Sequence, residues 1–298
     1  MEKIKITFLG TSSSIPTRKR NHSAILLSYK NENILIDCGE GTQRQFSIAD
    51  LSPTKLTKIL ITHWHGDHIL GLPGLCQTLA MNGYSKTLEI YGPKKTRTYL
   101  SLLKQLIKIH LRTSVEEISS GKFFENSDFY LESLPMKHGT PTLAYSFIVK
   151  DKLRLDKDKI KKLKLPNSPL LKKLQNGEGI IIGDKKIRAK EVSYMEKGRK
   201  ITFVLDTLIN DNAVKLAKNS DLLICESSFS KKEEKLAEEY LHLTAEQSAT
   251  IAKKAKVKSL ILTHLSRRYD RNPEPILEEA KKIFKNTSLA KDFDVIEL

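Results

Sequence analysis

The chain has 298 residues, 39% hydrophobic and 29% charged, with a formal net charge of +16. That length supports a sizeable core, the composition reads as a soluble globular protein, and no apolar run is long enough to span a bilayer. No basic-then-apolar leader opens the sequence, and three widely spaced cysteines (Cys38, Cys76, Cys225) with no CxxC pair suggest neither a disulfide framework nor a cysteine zinc knuckle, which fits a reducing cytoplasm.

In chain order, Ile4, Ile6 and Phe8 alternate with Lys3, Lys5 and Thr7 and predict a half-buried strand. Residues 23–29 and 33–38 predict two strands joined as a hairpin through Lys30-Asn31-Glu32. Lys58–Thr62 (KILIT) reads as a short buried strand, and His68–Met81 as a helix with Leu72, Leu75 and Leu79 near one face. Pro93 can open a second helix running to about His110, which would then sit favourably against the helix dipole. In the last third, Ile201–Leu205, Leu222–Cys225 and Ser259–Thr263 read as strands. Asp211–Lys218, Thr244–Ala255 and Glu274–Phe284 read as helices. Strands alternating with helices at both ends predict two packed sheets with helices outside, an α/β sandwich.

Residues 150–200 are different. They hold 17 Lys and Arg against seven acids, supplying +10 of the net charge. Pro166-Asn167-Ser168-Pro169 interrupts any long helix. The segment predicts an inserted basic arm, with its core at about 150–178, on one domain spanning 1–298. Such charge attracts polyanions by counterion release, and a solvated lysine face kept for solubility accounts for it equally well.

The sharpest signal is Thr62-His63-Trp64-His65-Gly66-Asp67-His68, directly after the KILIT strand. A lone histidine is more often structural than a ligand, but here three of the eight histidines fall in one heptapeptide. Imidazoles and carboxylates are the donors that hydrolytic metal sites take. Further candidates sit at strand ends or in loops: His138, Asp206 after ITFVL, and His264 after SLILT. Each alone is weak.

Together these motifs resemble a known family. HWHGDH is similar to the HxHxDH signature of the metallo-β-lactamase superfamily. Phe8-Leu9-Gly10-Thr11, Pro16–Asn21, Asp37–Gln43 (DCGEGTQ), His242–Ala245 (HLTA) and Thr263–Tyr269 (THLSRRY) resemble motifs of ribonuclease Z across nearly the whole chain. The resemblance implies an αββα four-layer metallo-β-lactamase fold with a protruding tRNA-gripping arm. It implies two zinc ions, one on His63, His65 and His138, the other on Asp67, His68 and His264, with Asp206 bridging. The activity implied is removal of the 3′ trailer from precursor tRNA by metal-bound hydroxide, leaving a tRNA 3′-hydroxyl and a 5′-phosphorylated trailer. Asp67 would orient the water, and His242 would protonate the leaving 3′-oxygen. Glu226 would hydrogen-bond His242, although a surface helix-cap carboxylate is the bland alternative. Arg20, Asn21 and Arg268 would contact the RNA backbone near the cut, and Lys161, Lys162, Lys172 and Lys173 would grip it from the arm. A cytoplasmic homodimer is implied. The sequence departs from the family at Leu205, where glycine is usual, and at Ser168-Pro169, where the arm usually has Gly-Pro. The rival readings are another di-zinc hydrolase of this fold, acting on a small phosphodiester or (thio)ester, and a non-catalytic RNA-binding relative. His22 and the three cysteines read as structural.

Overall fold

The computed structural model describes residues 2–108, 110–163, 165–182 and 185–298. Strand β1 (Ile4–Gly10) is followed by the hairpin β2 (Ala24–Tyr29) and β3 (Glu32–Ile36). Helix α1 (Thr42–Ile48), β4 (Lys58–Leu60), α2 (Gly66–Ile69), α3 (Leu72–Met81), β5 (Leu88–Gly92), α4 (Thr96–Ile107) and β6 (Thr113–Glu117) come next. Strands β7 (Gly121–Glu125), β8 (Phe129–Met136) and β9 (Thr142–Val149) begin a second sheet. An inserted segment carries β10 (Lys152–Leu155), α5 (Lys157–Lys162), α6 (Leu170–Gln175), β11 (Ile180–Ile182), β12 (Lys185–Ile187), α7 (Ala189–Val192) and β13 (Ser193–Glu196). The chain then continues through β14 (Lys200–Val204), α8 (Asp211–Ala217), β15 (Leu222–Glu226), α9 (Glu234–Glu239), α10 (Ala245–Ala255), β16 (Ser259–Thr263), α11 (Glu274–Ile283), β17 (Thr287–Leu289) and β18 (Val295–Glu297).

The first sheet has the order β18-β1-β2-β3-β4-β5-β6 and the second β17-β16-β15-β14-β9-β8-β7. Successive side chains of a strand point to opposite faces, and here both faces are covered. Ile25, Leu27, Ile34 and Ile36 point between the sheets, where they meet Phe147, Phe203, Leu222 and Ile224. Leu26 and Leu35 point outward, into a layer with Phe46, Leu72, Leu75 and Leu79 of α1 and α3. Leu223, Cys225 and Leu262 point outward from the second sheet onto Ala249, Ala252 and Ile276 of α10 and α11. Three apolar interfaces therefore make four layers, helix, sheet, sheet and helix. Among the described residues no helix is long and apolar enough to cross a membrane.

Three expectations need correction, and four strands had no expectation. Strand β1 is buried on both faces, with Thr7 4% exposed, because α1 packs outside it and Gln45 Nε2 donates to Leu9 O at 2.6 Å. The helix expected at 68–81 breaks into α2 and α3. At Gly71 the loop Cys38–Gly39 presses so close that a Cβ would stand 2.0 Å from Gly39 O. Helix α4 starts at Thr96 and ends at Ile107, with Lys108 left-handed at φ 49°, so exposed His110 lies beyond the helix rather than in it. Strands β6 to β9 had no clear signature in the sequence.

The basic segment leaves the second sheet between β9 and β14, which are antiparallel neighbours. Its base is the β10–β13 pair, and its tip is the β11–β12 hairpin with α5, α6 and α7. The tip has a core of its own: Leu174, Ile180, Ile187, Ala189 and Val192, with Leu165, Leu170 and Leu171 against it. This core draws on residues beyond 178, so the ordered body of the arm runs to Glu196 rather than stopping near 178. Lys161, Lys162, Lys172 and Lys173 are all exposed on α5 and α6. Leu174→Ala should cost the arm about 2–5 kcal/mol and leave the two large sheets alone. Amide exchange should then accelerate across 152–196 and not in β1–β9.

Candidate metal centre

The candidate residues come from strand ends that share one rim of the sandwich. Asp37 follows β3, His63 and His65 follow β4, and Asp67 and His68 open α2. His138 follows β8, Asp206 follows β14, and His264 follows β16. Open α/β sheets assemble sites at such edges. Asp37, Asp206 and His264 have φ of 58°, 44° and 57°. This left-handed turn bends the backbone as the strand stops, in a region that Asp and His enter more readily than most residues. Leu205 is fully buried between the sheets, so the residue that stands in place of glycine serves as core packing while Asp206 alone makes the turn.

Around Asp206 the side chains divide into two groups. Its Oδ2 lies 3.6 Å from His63 Nε2 and 3.8 Å from His138 Nε2. Its Oδ1 lies 3.4 Å from His68 Nε2 and 3.2 Å from His264 Nε2. His65 Nδ1 faces His138 Nε2 at 3.2 Å, completing the first group. Asp67 Oδ2 stands 3.3 Å from His68 Nε2 and 3.4 Å from His264 Nε2, completing the second. Within each set of four the donor atoms lie within 4.8 Å of one another, and Asp206 belongs to both.

These residues fit a bound cation better than they fit each other. His63 Nε2 and Asp206 Oδ1 are buried with no hydrogen-bond partner, an arrangement that is costly unless something else satisfies them. The far nitrogens are already engaged. His68 Nδ1 faces Asp37 Oδ2 at 2.7 Å, His63 Nδ1 faces Thr62 Oγ1 at 3.0 Å, His138 Nδ1 faces Leu241 O at 3.0 Å and His264 Nδ1 faces Ser228 Oγ at 2.9 Å. Asp37 is itself held by Thr62, whose N and Oγ1 each donate to it at 2.7 Å. Outer hydrogen bonds of this kind orient imidazoles for metal binding. Burial, and after it the neighbouring His68, drives the His63 imidazole well below its usual range. For Asp67 and Asp206 burial opposes ionisation, but the surrounding imidazoles outweigh it and hold both carboxyls well below theirs. The two ionised carboxylates and the uncharged His63 ring are thus donors suited to a divalent cation.

A second cluster adjoins the first. His242 Nδ1 lies 3.0 Å from Glu226 Oε2. Glu226 is fully buried and accepts from Thr207 N at 2.6 Å and Ser228 Oγ at 2.7 Å, which removes the surface-cap reading. Burial opposes charge on His242, but Glu226 and then Asp206 outweigh it and raise its pKa to about 9. In front of both clusters lies a cavity of about 700 Å³, bordered by His65, His138 and His242, by Ser13 and Ser14, and by Arg268.

One of the expected RNA contacts, Arg20, is used elsewhere. Arg20 is only 6% exposed, and its Nη1 donates to Thr11 Oγ1 at 2.7 Å and Ala290 O at 2.6 Å. It ties the C-terminal segment to β1. Asn21 donates from Nδ2 to Glu40 O at 2.7 Å. Its backbone N–H is taken by Asp292 Oδ2, and its side chain is only half-buried. Arg268 does border the cavity. Sequence reasoning missed Asp37, Thr62 and Ser228 as supports. Asp37 carried one legible signal: like Asp206, it is an acid directly after an apolar strand.

A family model described as anti-Pycsar protein Apyc1 matches residues 4–194, which include the histidine loop and stop short of Asp206, His242 and His264. The ribonuclease Z of Methanothermobacter thermautotrophicus is 40% identical over 99% of this chain and 97% of its own length. The chain belongs to the ribonuclease Z family. The short form of human tRNase Z has a similar structure, with a TM-score of 0.73 and 29% identity over 98% of both chains. The metallo-β-lactamase fold protein YhfI of Bacillus subtilis, 19% identical with a TM-score of 0.74 over all of both chains, shares the fold. In a ribonuclease Z of this fold the histidine–aspartate cluster is the place for divalent metal. Asp37→Ala should weaken divalent-metal affinity about 10- to 100-fold, measured by titration with a competing chelator, with little change in helix and strand content.

Proposed function

We propose that this chain removes the 3′ trailer from precursor tRNA by hydrolysing a single phosphodiester bond. As a ribonuclease Z it is a tRNA 3′-processing endoribonuclease, and the observation that carries the reading is the Asp206 carboxylate, one oxygen toward each of two donor groups. His63, His65 and His138 with Asp206 Oδ2 would hold one zinc ion. Asp67, His68 and His264 with Asp206 Oδ1 would hold the second. The chemistry such ions supply is acidification of a water and neutralisation of charge on the phosphoryl oxygens.

The protein's own groups do the rest. Asp67, whose side chain is 12% exposed, orients the attacking water at the mouth of the site. His242 is fixed through Nδ1 to Glu226, so Nε2 is the atom that delivers a proton to the departing 3′-oxygen. Thr207 and Ser228 hold Glu226 in place, and Glu226 keeps the imidazole charged until the bond breaks. The products are tRNA with a 3′-hydroxyl and a trailer with a 5′-phosphate. Arg268 meets the backbone near the cut. The segment 150–200 acts as the exosite arm, with Lys161, Lys162, Lys172 and Lys173 on tRNA phosphates, a contact that tracks helix shape rather than sequence. The same proposal includes a cytoplasmic homodimer, for which the exposed Met81, Leu102 and Leu106 on α3 and α4 offer apolar surface.

Cleavage of a labelled precursor tRNA tests this. The expected result is one cut after the last nucleotide of the acceptor end, leaving a 3′-hydroxyl and abolished by His65→Ala. His242→Ala should lose about 10²- to 10⁴-fold in kcat with its metal content unchanged. Replacing the four arm lysines with alanine should raise KM and flatten its salt dependence. A zinc-loaded protein that spares the RNA yet turns over a small phosphodiester would replace this reading with that of a small-molecule hydrolase.

A further inference from the structure

The cavity in front of the metal centre has two walls of different chemistry. One is polar, made by Ser13, Ser14, Ser266 and Arg268. The other is aromatic, made by Phe229 and Tyr240. Their rings are almost parallel, 14° apart in plane with centroids at 6.4 Å. Phe229 is covered, at 7% exposure, with the Arg268 guanidinium 5.1 Å from its ring centre and the His242 ring at 6.1 Å. Tyr240 is 55% exposed. Among the described residues none hydrogen-bonds its hydroxyl, so ring packing is the interaction that holds it. A scattered aromatic on an outer surface needs no explanation. This one lines the reaction cavity, two residues before His242, and its backing ring is braced by a cation.

We infer that Tyr240 is the stacking platform for the nucleobase whose own ribose loses the scissile bond, the last nucleotide of the product tRNA. The inference rests on the proposed cleavage reaction. If His242 protonates the leaving 3′-oxygen, the base on that same ribose lies within one sugar's width of the imidazole. The aromatic surface next to His242 is the Phe229–Tyr240 pair, and with Phe229 covered the available face belongs to Tyr240. The flanking phosphates then fall toward the serine and arginine wall. Stacking is sequence-tolerant because every base has a π-face, but it requires a base that is unpaired and turned out of its helix. Tyr240 thereby selects a single-stranded end over a duplex without reading which base it carries.

The test compares the wild-type holoenzyme with Tyr240→Ala, Tyr240→Phe and Tyr240→Leu on two RNAs. One is a precursor tRNA, and the other is the same RNA made abasic at that last nucleotide. On the intact RNA, Tyr240→Ala and Tyr240→Leu should lose roughly 5- to 150-fold in kcat/KM, while Tyr240→Phe stays near wild type. On the abasic RNA, the wild type should fall by a similar factor and all four proteins should cut alike. Equal losses by Tyr240→Ala on both RNAs would make Tyr240 a structural prop and overturn the inference, as would full wild-type activity on the abasic RNA. Failure of the wild type to cut even the intact precursor would instead remove the cleavage reading and this inference with it.

Discussion

A carboxylate buried to 2% exposure, with each oxygen aimed at a different pair of imidazoles, is the constraint around which this molecule is arranged. Asp206 is left unsatisfied by the protein's own donors, since Oδ1 is buried without a well-formed hydrogen bond. Stability therefore favours leaving such a residue out, and retaining it makes sense if cations complete it. The two sheets bring their strand ends to one rim, and left-handed turns at Asp37, Asp206 and His264 aim the side chains inward from it. The apolar layers on both faces of each sheet supply the rigidity that keeps those turns strained.

Outside the donor groups, two sets of hydrogen bonds do separate jobs. Asp37 and Thr62 fix His68 and His63, which sets where metal binds. Glu226 fixes His242, the proton donor in the proposed reaction. Ser228 touches both, since its Oγ meets Glu226 at 2.7 Å and His264 Nδ1 at 2.9 Å. One hydroxyl thus links the Glu226–His242 pair to His264, and a disturbance in either cluster will be felt in the other.

The sequence made the donor set legible because chemistry-bearing residue types are rare and were concentrated. Three of eight histidines sit in one heptapeptide, and Asp206 and His264 each close an apolar strand. The layered fold was legible from short apolar strands alternating with helices at both ends of the chain. Other features depend on three-dimensional neighbours. Nothing local to Arg20 says that its guanidinium will be taken by Thr11 and by Ala290, 270 residues away. Strands β6 and β7 are edge strands, one of each sheet, and they mix charged residues with apolar ones because they are largely open to solvent, so their period is blurred. The arm read as charge alone. Its small core is divided between Leu165–Leu174 and Ile180–Val192, too short in each half to show a periodicity.

The central claim is that Asp206 sits between two cations. Anomalous diffraction from crystals of the zinc-loaded chain tests it most directly. The account predicts two zinc peaks per chain, one on the His63, His65 and His138 side of the Asp206 carboxylate and the other on the Asp67, His68 and His264 side. A single peak, or none, with Asp206 bound by protein donors only, would contradict it.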